Sequence, residues 1–300
     1  MPLITLHDGQ LLHVRTIGRG KPVVLVHGFA SNSGHWLPNV LPLAHRYRFI
    51  LPDLRGFGRS CSTQITDHNV FEQYARDLHD VLEHFQLDQT ALGGISTGAY
   101  ICLTYNRMYG FDRVSKYLNI EHTPQSRSGD DWQHGLFSEK QDELFACFER
   151  LLEMAEAAGP DTPYWSLPEE VRREFALTLT RVLSRALNNP LARGVARLAG
   201  QYAERLLAGP VFPVENWYAY IQVMRAFMHG NDTRAALAGI KVPTTLMIGA
   251  QSRFFSVDGQ LEIQRHVPHA RVVKFERSGH IPMLDQPLQI QREFARFLAQ

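Results

Sequence analysis

The chain has 300 residues, of which 44% are apolar and 20% are charged. This length and balance are typical of one large globular domain, or of one domain with an insertion, and they exclude a disordered chain and a long coiled coil. The charges nearly cancel, with 31 Lys and Arg against 30 Asp and Glu and a formal net charge of +1, so a nucleic-acid partner is not expected.

The first residues, Met1–Thr5, lack a basic stretch followed by an apolar core, so we expect no secretory signal. No apolar run approaches the roughly 18–20 residues that cross a bilayer. The three cysteines, Cys61, Cys102 and Cys147, lie far apart and disfavour both a disulfide framework and a metal site. These features predict a soluble, cytoplasmic protein without stable membrane insertion, and they leave its oligomeric state open.

The first 120 residues alternate strand-like and helix-like segments. A hairpin is predicted over residues 3–16, because Asp8-Gly9 is a typical turn. Short apolar runs at 23–26, 48–52, 90–94 and 114–120 suit buried strands of a parallel sheet. Apolar residues at helical spacing over 70–85 predict a helix between two of them. This alternation predicts an α/β fold.

From residue 123 to 235, helical spacing continues without strand signals. Apolar residues at helical spacing predict helices over 144–155, 171–186, 191–207 and 217–228. The second is predicted to start with a capping box formed by Ser166 and Glu169. The α/β pattern then resumes, with strands at 242–249 and 271–275 and helices at 257–266 and 288–298. Residues 123–235 are therefore predicted to be a helical insertion.

The segment Gly94–Gly98 has the pattern Gly-x-Ser-x-Gly between a predicted strand and a predicted helix. In a tight strand-to-helix turn, the glycines allow the chain to bend and Ser96 stands exposed at the sheet edge. We interpret Ser96 as a nucleophile; a serine that only caps its helix is the alternative.

Two further segments follow predicted strands. His27-Gly28-Phe29 can bring the Phe29 N–H toward a developing oxyanion, together with the N–H of Thr97, and His27 itself is interpreted as structural. Ser278-Gly279-His280 places His280 on a loop that can reach back to Ser96, so we interpret His280 as the general base.

These segments, together with Asp53–Ser60, resemble the α/β-hydrolase superfamily in type and order. The resemblance covers essentially the whole chain outside the insertion. It implies a mostly parallel eight-stranded sheet flanked by helices, a helical cap inserted after the sixth strand, and a Ser–acid–His triad. Residues 1–122 and 236–300 would then form the α/β-hydrolase core, and residues 123–235 the cap.

The triad acid departs from the commonest pattern of this family. Its usual position, three residues after Gly249, is occupied by Ser252, and a hydroxyl cannot stabilise an imidazolium as a carboxylate does. Some members carry the acid at the end of the sixth strand, where Glu121 stands, so we assign Glu121. The alternatives are Asp258, Asp130 or Asp131, or no acid at all.

The resulting prediction is a serine hydrolase that cleaves a small-molecule carboxylic ester, lactone or thioester with an apolar acyl part, through an acyl-serine intermediate and without metal or organic cofactor. A cofactor-free dioxygenase and a non-hydrolytic ligand-binding protein remain as alternatives. The pocket is expected to include apolar residues of the 217–228 helix, which can also simply attach the cap to the core: Trp217, Tyr218, Ile221, Met224 and Phe227.

Overall fold

The computed structural model describes residues 2–202 and 213–300. Its sheet has eight strands in the order β1-β2-β4-β3-β5-β6-β7-β8. The pairs β1–β2 and β2–β4 are antiparallel, and the remaining pairs are parallel. This confirms the predicted α/β fold. The strands are β1 (Leu3–Thr5), β2 (Leu11–Gly18), β3 (Lys21–Val26), β4 (Tyr47–Pro52), β5 (Thr90–Ile95), β6 (Val114–Ile120), β7 (Thr244–Gly249) and β8 (Arg271–Phe275).

The α-helices of these ranges flank the sheet or lie between β6 and β7. None of them is long and apolar enough to cross a membrane. They are α1 (Leu37–Val40), α2 (Val70–His84), α3 (Thr97–Tyr109), α4 (Gln141–Ala158), α5 (Glu169–Ala186), α6 (Pro190–Tyr202), α7 (Trp217–His229), α8 (Arg234–Leu237), α9 (Val257–His266), α10 (Pro282–Asp285) and α11 (Pro287–Ala299). The helix predicted over 191–207 corresponds to α6 as far as Tyr202, and residues 203–207 lie outside the described residues.

The sheet is buried on both faces, which explains the continuous apolar runs in its strands. Every residue of β5 and of β7 is buried, as expected for central parallel strands. Apolar side chains on one face pack against α2 and α3, and those on the other face pack against α11. Because these strands are parallel, their carboxyl ends lie at the same edge of the sheet. The predicted site segments follow those ends and therefore lie at that edge.

The segment between β6 and β7 is helical in its described part and packs on the core through aromatic side chains of α7. The Phe227 ring lies 5.0 Å from the Phe71 ring, and the Tyr220 ring lies 5.1 Å from Phe57 and 5.6 Å from Phe29. These contacts attach the helical segment to the core. The division into core and cap at residues 122/123 and 235/236 remains a proposal, and its second boundary falls inside α8.

The capping box predicted for α5 is wrong. Ser166 ends a short 3-10 turn (Tyr164–Ser166), and α5 begins at Glu169 with Pro168 at the N-cap and no side-chain cap. A residue before proline is sterically driven to extended backbone, and Leu167 has ψ 150°. The extended Leu167 separates Ser166 from the helix, so its hydroxyl does not cap the first turn.

Candidate active site

Ser96 stands at the sharp turn between β5 and α3. Its backbone has φ 54° and ψ −125°, a conformation that L-residues rarely adopt. A Cβ on Gly94 would overlap the backbone of Gly98, and a Cβ on Gly98 would overlap the carbonyl oxygen of Val26. Both glycines are therefore required by close backbone approach. The Ser96 N–H donates to the Ile120 carbonyl at 2.8 Å, which ties the turn to the end of β6.

Ser96, His280 and Glu121 form a continuous hydrogen-bonded series. His280 Nε2 lies 2.9 Å from Ser96 Oγ, and His280 Nδ1 lies 3.1 Å from Glu121 Oε2. His280 comes from the loop after β8, where Asp285 accepts the N–H of Gly279 at 2.8 Å. With Nδ1–H donating to the carboxylate, Nε2 is free to accept the serine proton.

The second carboxylate oxygen of Glu121 accepts two hydrogen bonds. Glu121 Oε1 accepts from the Gly249 N–H at 2.5 Å and from Gln260 Nε2 at 3.0 Å. The side chain is fully buried, so these two donors replace water and fix which oxygen faces His280. Gln260 was not singled out from the sequence, because its contact with Glu121 joins residues 139 positions apart.

The other carboxylates considered for the triad have different surroundings. Asp258 is exposed in the first turn of α9, where Ser256 is the N-cap. Asp131 forms an ion pair with Arg234 at 2.6 Å, and Asp130 is exposed. The structure thus brings only Glu121 of these four residues into hydrogen-bond contact with His280.

Aromatic rings enclose the histidine side of the site. The Phe254 ring is stacked on His280, with centroids 4.0 Å apart and planes at 10°. Beside them, the buried imidazole of His122 is stacked on Tyr100, with centroids 4.4 Å apart. Burial lowers the pKa of His122 to about 3, so this imidazole is neutral at neutral pH.

The loop after β3 lies directly beside the nucleophile. A Cβ on Gly28 would lie 3.3 Å from Ser96 Cβ. His27 holds this loop: its Nε2 accepts from the Leu54 N–H at 3.0 Å, which leaves Nδ1–H to donate to the Gly28 carbonyl at 2.8 Å. Burial lowers the pKa of His27. The loop thereby brings Phe29 next to the turn that carries Thr97.

An apolar cavity of about 240 Å³ opens at Ser96 and His280. Its wall includes His35, whose pKa burial lowers to about 4, so the imidazole is uncharged at neutral pH. A cavity of this kind suits the apolar part of a small molecule. It is lined by Gly28, Phe29, Ala30, Ser31, His35, Ile95, Ser96, Leu179, Val182, Leu183, Ala186, Phe254, His280 and Ile281.

The expected pocket residues of α7 are only partly at this cavity. Met224 and Phe227 line a smaller adjoining space of about 20 Å³ that also reaches Ser96. Trp217, Tyr218 and Ile221 line neither space, which corrects the expectation. The helical wall comes instead from α5. Its apolar spacing was visible in the sequence, but spacing does not reveal which helix covers the site.

One group of described side chains has the spacing of a cation site. His7, Asp77 and Asp80 offer ligand atoms within 4.8 Å of one another. Asp77, however, is bound to Arg55 at 2.6 Å, and Asp80 to His7 at 2.7 Å. These mutual contacts account for the group without an ion.

Comparison with known proteins gives consistent matches along the chain. A family model described as "alpha/beta hydrolase fold" matches residues 21–287. A pimeloyl-[acyl-carrier protein] methyl ester esterase from Nitrosomonas europaea is 25% identical over 93% of this chain and 96% of that protein. An esterase from Exiguobacterium antarcticum superposes with a TM-score of 0.76 at 24% identity, covering 99% of both chains. A thermophilic esterase from Thermogutta terrifontis gives a TM-score of 0.74 at 21% identity, covering 99% of this chain and 97% of that one.

Proposed function

The chain belongs to the α/β-hydrolase family, and we propose that it is a serine hydrolase that cleaves a carboxylic ester through an acyl-serine intermediate. The observation that carries the proposal is the hydrogen-bonded series from Ser96 through His280 to Glu121 at the floor of an apolar cavity. The esterase names of relatives along the full chain support ester hydrolysis.

In the first step, Ser96 Oγ attacks the ester carbonyl while His280 Nε2 takes its proton. The carbonyl becomes a tetrahedral oxyanion, and Glu121 stabilises the imidazolium through Nδ1–H. His280 then gives the proton to the leaving alcohol, whose C–O bond breaks, and Ser96 retains the acyl group. Water attacks this acyl-serine with His280 again as base, which releases the carboxylic acid and restores Ser96.

The backbone N–H groups of Phe29 and Thr97 are proposed to hold the oxyanion. Thr97 follows the nucleophile at the start of α3, where the helix dipole also favours negative charge. Phe29 belongs to the loop that Gly28 allows to lie against Ser96. Two such donors stabilise charge only as it develops, so they act on the transition state more than on the bound ester.

The acyl part of the substrate is proposed to be apolar. The wall of the cavity is apolar at Phe254 and at the α5 residues Val182, Leu183 and Ala186. The imidazole of His35, in the same wall, is uncharged. Burying a methylene group contributes about 0.8 kcal/mol. Medium-chain esters should therefore be preferred over acetate esters.

The test combines active-site labelling with substitution. A serine-directed phosphonate should label Ser96, and Ser96→Ala should lose both the label and nearly all ester turnover while its circular dichroism stays unchanged. Ser31→Ala is the matched control, because Ser31 lines the same cavity, whereas the hydroxyl in hydrogen-bond contact with His280 Nε2 is that of Ser96. Wild-type turnover by Ser96→Ala, or a label found on Ser31, would refute the mechanism.

A further inference from the structure

A second concave site lies on the far side of α5 from the catalytic cavity. Thr180, Arg181 and Ser184 line a groove of about 550 Å³. Val182 and Leu183, which follow Thr180 and Arg181 by two positions, line the catalytic cavity instead. Two residues correspond to about 200° around a helix with 3.6 residues per turn. Helix α5 therefore separates two sites, one apolar and one polar.

The groove is strongly cationic although the chain as a whole is nearly neutral. Its lining includes Arg173, Arg181 and Arg185 from α5 and Arg197 from α6. Among the described residues of the lining, the acidic one is Glu143, which is ion-paired with Lys140 at 2.8 Å. Within residues 2–202 and 213–300, no carboxylate forms an ion pair with any of the four arginines.

The contacts that these arginines do make involve neutral acceptors. Arg185 Nη2 donates to the Arg253 carbonyl at 2.9 Å, and Arg181 Nη1 lies 2.8 Å from Cys147 Sγ. Arg197 Nε lies 3.5 Å from Ser184 Oγ. Such contacts orient the guanidinium groups without pairing them with a carboxylate, and the carboxylate of Glu143 offsets part of the charge of Arg181 and Arg185 from a distance.

One donor of Arg185 lacks a hydrogen-bond acceptor. Its Nε is buried and has no hydrogen-bond partner in the described structure. Burial, and then the charge of Arg253, lower the pKa of Arg185. Burial, and then Arg193 and Arg197, lower the pKa of Arg253. These cations repel one another, and an anion bound in the groove beside Arg185 and Arg197 would reduce that repulsion.

We propose that this groove binds a phosphate group, either of a free phosphate compound or of a phosphorylated substrate. Planar guanidinium groups match the oxygens of phosphate in a bidentate geometry. The volume of about 550 Å³ lies in the range of small-molecule sites, and two helices contribute arginines to its lining. The site is distinct from the cavity at Ser96 and goes beyond ester hydrolysis.

Binding is tested on the intact protein with pyrophosphate as the probe, by isothermal titration calorimetry. Wild type should bind, and the affinity should fall as salt is added. The double variant Arg181→Gln/Arg197→Gln should bind at least about tenfold more weakly, the loss expected for one charge-assisted hydrogen bond. Arg292→Gln, which changes an exposed arginine on α11, is the matched control and should bind as wild type does.

No binding by wild type, or equal affinity in wild type and the double variant, would overturn the proposal. Arg173→Gln is a second variant for the same measurement, because Arg173 is exposed and its replacement leaves the packing of α5 intact. This variant should also bind pyrophosphate more weakly than wild type. Calorimetry measures binding without ester hydrolysis, so its result does not depend on whether the esterase mechanism is correct.

Kinetics then distinguish the two sources of phosphate. Two esters with the same acyl group and the same extended alcohol are compared, one with a neutral end and one with a phosphate at the far end of the alcohol, where the chain is long enough to pass α5 and reach the groove. If the groove holds the substrate's phosphate, KM for the phosphorylated ester should rise about tenfold in the double variant, while KM for the neutral ester stays unchanged. If both KM values stay unchanged while pyrophosphate still binds, the ligand is a free phosphate compound.

Discussion

Glu121 combines a backbone position and a set of contacts that no other carboxylate of the site region shares. It directly follows β6, has φ 56°, and is completely buried. One carboxylate oxygen faces His280, and the other accepts from Gly249 and Gln260. This arrangement fixes the imidazole tautomer in which Nδ1 carries the proton, as a general base toward Ser96 requires.

Replacing this carboxylate should cripple the acylation step. Glu121→Gln keeps the shape of the side chain but removes the charge that stabilises the imidazolium. We expect kcat to fall by about 10³–10⁴-fold, as when a triad aspartate becomes an amide. The measurement is steady-state hydrolysis of a medium-chain ester. Asp258→Asn is the control and should be nearly silent, because Asp258 is exposed at the start of α9. A crippled Asp258→Asn beside an active Glu121→Gln would reverse the assignment.

The site residues differ in how far the sequence could predict them. Ser96 and His280 follow predicted strands within glycine-containing turns, a local pattern that directly indicates the chemistry. Gln260 and Phe254 carry no such pattern. Their roles depend on the direction of side chains from elements that are distant along the chain, and periodicity says nothing about that direction.

At the scale of elements, α5 separates the cavity at Ser96 from the proposed phosphate groove. Its face with Val182, Leu183 and Ala186 lines the cavity at Ser96, and the face with Arg181 lines the cationic groove. The sequence predicted this helix and its apolar spacing. It did not predict that α5 rather than α7 provides the larger wall, because that choice depends on how the helices between β6 and β7 pack on the sheet.

Filling the cavity from α5 should change the chain-length preference. Ala186→Phe adds a ring to the wall of a space of about 240 Å³. Medium-chain esters should lose about tenfold or more in kcat/KM, since overpacking a buried site typically costs about 1–3 kcal/mol, while acetate esters change little. The measurement is a series of esters with acyl chains of graded length.

Leu177→Phe is the matched control, because it adds bulk to the same helix on the groove side. It should keep the wild-type order of substrates. A parallel loss for short and long esters in Ala186→Phe would mean that the substitution disturbs the catalytic residues rather than the acyl space.

At the scale of the whole molecule, several histidines are buried in neutral form, and His122 is the most strongly affected of those with a resolved value. It is fully buried between Tyr100 and Phe255, with ring centroids 4.4 and 4.3 Å away. Its Nδ1 donates to the Thr123 carbonyl at 2.7 Å, and its Nε2 has no partner in the described structure. A protonated imidazole would therefore place an unpaired charge in an apolar site.

This burial makes the fold sensitive to acid in a definite window. Burial lowers the pKa of His122 from 6.5 to about 3 in the folded protein. Between those values the unfolded chain binds a proton that the folded chain does not, so stability rises with pH and is lost as pH falls. One such group contributes about 1.4 kcal/mol per pH unit to the slope of the free energy of unfolding.

His122→Phe should therefore flatten this pH dependence. The phenyl ring keeps the stack between Tyr100 and Phe255, and the substitution removes the hydrogen bond to Thr123, which lowers stability at pH 7 by about 1 kcal/mol. Below pH 6.5, urea unfolding at a series of pH values should show a slope smaller by about 1.4 kcal/mol per pH unit than that of wild type. His68→Phe, at an exposed loop position before α2, should leave the slope unchanged. If His122→Phe and wild type lose stability in parallel from pH 6.5 to pH 4, the acid sensitivity arises from other groups and His122 is not buried as a neutral imidazole.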